Sequence, residues 1–326
     1  MRKTINTYIG YSLDSTIRHK ASSGGIGSAL VKYILDNKIA DYALSFSYDK
    51  ENVCYKPVLV SSFEDYFICG SIYQEMNLMT GLKLLLNSIE LQCGEDSQTK
   101  GKRIVLFALP CQTRALRTIC KNAGYESIII GLTCSSQQSH EATTYLLKRI
   151  GVDEKSVNYI QYRGNGWPSG IQISTNDNKV YFVQNNDSVW MDIFHSRLFI
   201  QPRCFSCNNT LNDFADIVLA DPWLKEYMST EIEGQTLFAS YTDIGESLIN
   251  NALDSNYIEA RKVSSELLYQ SQKSTIARKE AYRSHPVIRN WMRKVCLSEI
   301  YKKIVKHSCL FKLHCKLRSK IESSII

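Results

Sequence analysis

No stretch of this sequence is apolar for long enough to cross a bilayer as a helix, which takes about 20 consecutive apolar residues. Its start, Met1-Arg-Lys-Thr-Ile-Asn, carries no apolar run of the secretory kind, so the expected location is the cytoplasm. Internal repeats and low-complexity segments are missing too, which sets solenoids aside. A general basic excess is also lacking. The net charge of +7 is local, because residues 289–320 hold ten Lys and Arg against one acid, Glu299. The remainder is close to neutral, which argues against a nucleic-acid-binding surface and leaves a basic tail.

What the chain does have is size and cysteine. Its 326 residues, 44% hydrophobic and 10% aromatic, allow one large α/β body or two modest domains. Eleven cysteines in a cytoplasmic protein do not make a disulfide framework, and the odd count agrees. Cys54, Cys69, Cys93 and Cys120 lack a partner at ligand spacing and read as core or loop thiols. Arg203-Cys204-Phe205-Ser206-Cys207 differs, because C-x-x-C lets two thiols reach one ion or cluster from a single turn of chain. It is half a site, and two more ligands must come from elsewhere.

Taken in order, residues 7–11 read as a strand, and Ala21-Ser22-Ser23-Gly24-Gly25 runs into a helix with Leu30, Ile34 and Leu35 on one face. Such a loop leaves backbone N–H groups at the positive end of the helix, suited either to an anion or to a simple N-cap turn. Strands are expected at 40–47 and 56–61, a short helix from Glu64, a helix over 78–91, and a polar linker over 93–102. The apolar run Arg103–Leu109 reads as a buried parallel strand ending at Pro110-Cys111-Gln112, with a helix from Thr113. A second run over 127–133 ends at Cys134, followed by a helix over 140–150. If these strands are parallel neighbours, both thiols lie at one sheet edge, where open α/β sheets bind ligands. Short alternating strands follow at 158–163, 171–175 and 179–183, then a helix over 190–199. Asp213-Phe-Ala-Asp216-Ile-Val-Leu-Ala-Asp221-Pro-Trp223 reads as a buried strand ending in an acid, and the remainder as helical.

Together, the Ser-Ser-Gly-Gly loop, Gly70-Ser71-Ile72-Tyr73, Pro110-Cys111-Gln112, Cys134, Arg163 with Gly166-Trp167, Cys204 with Cys207, and Asp216 to Trp223 form an ordered set. That set resembles the beta-subunit family of coenzyme F-420 hydrogenases and dehydrogenases, which also includes formate dehydrogenase beta subunits. The resemblance runs from about residue 8 to about residue 250. It implies FAD on an α/β body and a 4Fe-4S cluster on Cys111, Cys134, Cys204 and Cys207. It also implies flavin contacts from Ser22, Ser23, Gly24, Gly25 and Gln112, with Arg163 and Asp221 as cofactor contacts, a buried ion pair or a strand cap.

The fold expected is α/β with α+β elements, a mixed β-sheet flanked by helices and followed by a C-terminal helical tail. Residues 1–95 form the region with the flavin loop, 102–260 the region with the cysteines, and 261–326 the tail. The function implied is that of an iron–sulfur flavoprotein oxidoreductase, with no catalytic side chain assigned. No C-x-x-C-x-x-C run precedes Ala21, so electrons come from a separate donor protein or from a reduced deazaflavin or nicotinamide cofactor. Some family positions are altered, with Ile72, Ala220, Pro222 and Leu224 in this chain, and Ser-Ser-Gln-Gln-Ser after Cys134. They motivate the alternative of a non-catalytic subunit or membrane-surface scaffold with zinc at the cysteines; a homo-oligomer is open in either case.

In the tail, Val295, Leu297, Ile304, Val305, Phe311, Leu317 and Ile321 alternate with Lys and Arg at roughly helical spacing. The stripe fits either a helix packed on the body or a basic amphipathic helix lying peripherally at an inner membrane surface. Cys296, Cys309, Cys315, His307 and His314 form no recognised metal knuckle.

Overall fold

The computed structural model describes residues 2–93, 101–185 and 188–326. Strand β1 (Thr7–Ser12) leads through helix α1 (Ser15–Lys20) and the Ser/Gly loop into α2 (Ile26–Asp36). A hairpin of β2 (Tyr42–Asp49) and β3 (Cys54–Val60) precedes α3 (Leu78–Cys93). Then β4 (Arg103–Ala108), α4 (Thr113–Asn122), β5 (Glu126–Leu132) and α5 (His140–Ile150) alternate. The strands β6 (Val157–Gln161), β7 (Gly170–Thr175) and β8 (Val180–Gln184) make a small antiparallel sheet before α6 (Val189–His195). The chain returns through β9 (Ile217–Ala220), α7 (Lys225–Thr230), β10 (Thr236–Ser240), α8 (Asp243–Asp254) and β11 (Ile258–Val263). It closes with α9 (Ser265–Ser271), α10 (Lys273–Ser284), α11 (Pro286–Leu297), α12 (Glu299–Val305) and α13 (Ser308–Ile325).

The main sheet has eight strands in the order β11-β1-β10-β9-β5-β4-β2-β3. Its centre is parallel, with β2 beside β4, β4 beside β5 and β5 beside β9. The outer pairs are antiparallel. The parallel centre follows from the apolar runs, whose residues Ile104, Val105, Leu106, Ile128, Ile129, Ile130, Ile217 and Val218 are buried with helices over both faces. The mixed sheet, flanking helices and helical C-terminal segment are those expected. Strands from 1–95 and from 102–260 hydrogen-bond within this one sheet.

Several local expectations differ from the structure. Residues 64 and 65 form a turn and 66 and 67 are irregular, rather than helical. The helix expected over 190–199 stops at His195, because Arg197 takes a left-handed backbone with φ 66°. The stretch after Trp223, read as helical, contains β10 and β11. Ile258-Glu-Ala-Arg-Lys-Val263 shows no apolar run because it is an edge strand, held by its ladder with β1. Of the linker expected over 93–102, residues 94–100 lie outside the described residues.

Candidate cofactor site at the carboxyl edge of the parallel strands

Parallel alignment of β4, β5 and β9 brings three chain turns to one edge, carrying Cys111, Cys134 and Asp221. Facing them is the Ser/Gly loop, whose Gly25 has φ 79° and starts α2. The loop is clamped from two sides. Thr236 Oγ1 accepts from Gly24 N–H at 2.9 Å and lies 3.0 Å from Ser23 Oγ, while Ser22 Oγ accepts from Ser71 N–H at 2.5 Å. Gly24 must be glycine, since a Cβ there would lie 2.5 Å from the Gly10 carbonyl oxygen and 2.6 Å from the Thr236 nitrogen.

Arg163 ties the loop to the sheet edge. It is fully buried and donates from Nη1 to Asp221 Oδ2 and from Nη2 to the Ser22 carbonyl, each at 2.5 Å. Burial opposes its charge, and Asp221 with the Tyr73 phenol more than offsets that, so its pKa is raised. The stacked rings of Trp167 and Trp223, with centroids 5.1 Å apart, lie beside the guanidinium. Asp221 lines the adjoining cavity, and Arg163 meets it through Asp221 and Ser22.

That cavity, of about 260 Å³, is lined by Ser22, Ser23, Gly25 and the first turn of α2 on one side. Apolar side chains including Phe46, Ile72, Met76, Phe107 and Phe194 form much of the rest. Gln112 also lines it, with Oε1 accepting from Leu109 N–H at 3.1 Å. This combination of helix N-terminus, hydroxyls and largely apolar wall could hold a flavin, whose pyrophosphate is anionic and whose ring system has an apolar dimethylbenzene half and a polar pyrimidinedione half.

A second cavity, of about 590 Å³, is lined by Cys111, Cys134, Cys204 and Cys207 together. The C-x-x-C sits on a one-turn 3-10 segment, Pro202–Ser206. The four thiols lie near enough to one another that a thiolate at one site disfavours a thiolate at the others. Burial pushes the Cys134 thiol up to about 12 and raises Cys111 and Cys204, while Lys279 pulls all three back. Among the described residues no three His, Cys, Asp or Glu side chains converge tightly enough for a single metal ion. Thiolate sulfurs are the donors that zinc and iron–sulfur clusters both take, so four thiols lining one cavity could hold either kind of group.

Two residues here escaped the sequence reading. Lys279 donates from Nζ to the carbonyls of Cys134 and Asn209, both at 2.8 Å, and to Cys207 Sγ at 3.4 Å. Neighbouring Arg278 donates to the Ser135 carbonyl at 3.0 Å, and burial pushes its pKa down to about 10. Both cations are 4% exposed, at adjacent positions of α10 that no apolar periodicity marks. Gln137 N–H adds a further donor, 3.5 Å from Cys204 Sγ.

Residues 7–83 match the family model described as coenzyme F420 hydrogenase/dehydrogenase, beta subunit N-term, and residues 101–266 match the companion model for the carboxyl terminus of the same beta subunit. The chain belongs to the coenzyme F420 hydrogenase/dehydrogenase beta-subunit family. Membership implies a role in redox electron transfer. A chain of the F420-reducing [NiFe] hydrogenase complex from Methanosarcina barkeri, solved as a xenon derivative, has the same fold. It is 20% identical with a TM-score of 0.63, covering 86% of this chain and 91% of that one. No curated protein matches the sequence. The family matches end at residue 266, so α10, with Arg278 and Lys279, lies beyond them along with α11, α12 and α13.

Proposed function

We propose that this beta-subunit-family chain passes electrons between a reduced donor and a substrate through FAD and one 4Fe-4S cluster. Its amino-terminal region, 1–95, supplies the Ser22, Ser23, Gly24 and Gly25 loop to the flavin, and 102–260 supplies Cys111, Cys134, Cys204 and Cys207 to the cluster. One observation carries the reading: Gln112 and Cys134 line both cavities, so the two cofactors would be neighbours. A bound flavin exchanges a hydride on one side and single electrons on the other. The chain's own work is to hold and shield. Arg163, Asp221 and Ser22 fix the loop, Lys279 and Gln137 N–H face the thiol sulfurs with positive charge and a donor, and the apolar wall excludes water. The donor is a separate protein subunit or a reduced deazaflavin or nicotinamide cofactor.

Anaerobic purification tests this. The expected product is yellow-brown, with one FAD and about four irons per chain. Zinc in place of iron, with no flavin, would support the scaffold alternative instead.

A further inference from the structure

Helix α13 turns its leucines the wrong way for an ordinary surface helix. Its inward side carries Phe311, His314 and Glu322, which are 0%, 5% and 5% exposed. His314 Nε2 lies 2.8 Å from the Ser196 carbonyl, and Glu322 pairs with Arg197 at 2.9 Å and accepts from Tyr282 Oη at 2.6 Å. Outward, in one stripe at three- and four-residue spacing, stand Leu310, Leu313 and Leu317, exposed by 38%, 52% and 50%. Helix α12 behaves likewise, burying Lys302 and Val305 while Ile300 and Ile304 are 74% and 54% exposed. On α11 the outward pair is Val287 and Trp291, at 80% and 51%.

Basic residues stand exposed on the same three helices. Arg293, Lys294, Lys303, Lys312, Lys316 and Lys320 are exposed, and among the described residues none forms an ion pair. Glu299 is the only exposed acid over residues 286–326, because Glu322 is buried. Leucine and isoleucine standing in water are unfavourable, and so is uncompensated positive charge, yet one kind of surface relieves both. At an anionic bilayer the apolar side chains enter below the phosphates, and the long basic side chains reach up to them. No helix among the described residues is long and apolar enough to cross a membrane, so such a face would lie on the bilayer. A second copy of the chain would bring the same positive charge against itself.

We infer that the outer faces of α11, α12 and α13 dock this protein onto an anionic lipid bilayer surface. The inference stands apart from the cofactor reading, because it uses none of the cofactor-site residues.

Flotation of the full chain with unilamellar vesicles tests it. The protein should float with vesicles of phosphatidylcholine mixed with phosphatidylglycerol, stay behind with phosphatidylcholine alone, and come off as salt is raised. Leu313→Glu with Leu317→Glu, and separately Lys312→Glu with Lys316→Glu, should each lower vesicle partitioning by about tenfold or more. Both pairs should keep the parent's melting temperature, since all four side chains are exposed. No flotation with the mixed vesicles, or flotation indifferent to these substitutions, overturns the inference. So does a dimer in solution that the leucine substitutions dissolve, since a second copy would then cover the face.

Discussion

The buried Arg163 and the partly buried Asp221 form an ion pair at 2.5 Å between the turn after β6 and the end of β9, and the same guanidinium holds the Ser22 carbonyl. The pair fixes the Ser/Gly loop against the carboxyl edge of the sheet, so the geometry of the adjoining cavity and folding stability depend on one side chain. Replacing Arg163 by Met leaves Asp221 without its partner and Ser22 without its donor. The expected cost is roughly 3 kcal/mol or more in urea unfolding, together with loss of bound flavin. Arg163→Lys should recover only part of either, because an ammonium cannot make both forked contacts.

Gly24→Ala tests how closely the loop packs. Gly10 and Thr236 backbone atoms stand 2.5 Å and 2.6 Å from where the added methyl would go, and neither can swing aside. The expected outcome is roughly 1–3 kcal/mol of destabilisation, read by thermal melting, and a lower flavin-to-protein ratio at unchanged iron content.

The proposed function divides the cysteines into four cluster ligands and core thiols. Alanine at Cys111, Cys134, Cys204 or Cys207 should drop iron well below about four per chain. Cys120, fully buried beside Leu106 and Leu116, is the control. Cys120→Ala should keep full iron and cost about 1 kcal/mol of stability.

Lys279 places a cation beside Cys207 Sγ. Replacing it by Met removes positive charge from around the proposed cluster, which would disfavour its more negative reduced state. The midpoint potential should move in the negative direction in a spectroelectrochemical titration, with iron content retained.

Acid should release the tail through Glu322. Burial works against its charge, but Arg197 and Arg318 outweigh that and lower its pKa from 4.5 to about 2. A carboxyl depressed in the folded state contributes stability above its unfolded pKa and loses it as the pH falls from about 4.5 to about 2. The contribution at neutral pH is about 3 kcal/mol. Unfolding measured across that window should show this acid-dependent loss, and Glu322→Gln should be less stable at neutral pH and nearly flat across the window.

Much of the site was legible in sequence. The apolar runs ending at Cys111, Cys134 and Asp221 are strong local signals, because a strand buried on both faces must be continuously apolar. The edge strand β11 was not legible, since its charged, mixed composition is stabilised by pairing with β1 rather than by local preference. Nor were Arg278 and Lys279, whose roles arise from where α10 happens to pack.

By itself, then, the sequence determined the element types of the parallel core, the glycine-bearing loop and the identities of the four thiols, all set by short-range steric and apolar patterning. Only the tertiary structure decided that these thiols share one cavity beside the loop, that Arg163 links Ser22 to Asp221, and that α13 buries His314 and Glu322 while exposing leucines. Those outcomes depend on contacts between residues far apart in the chain, whose partners no local pattern specifies.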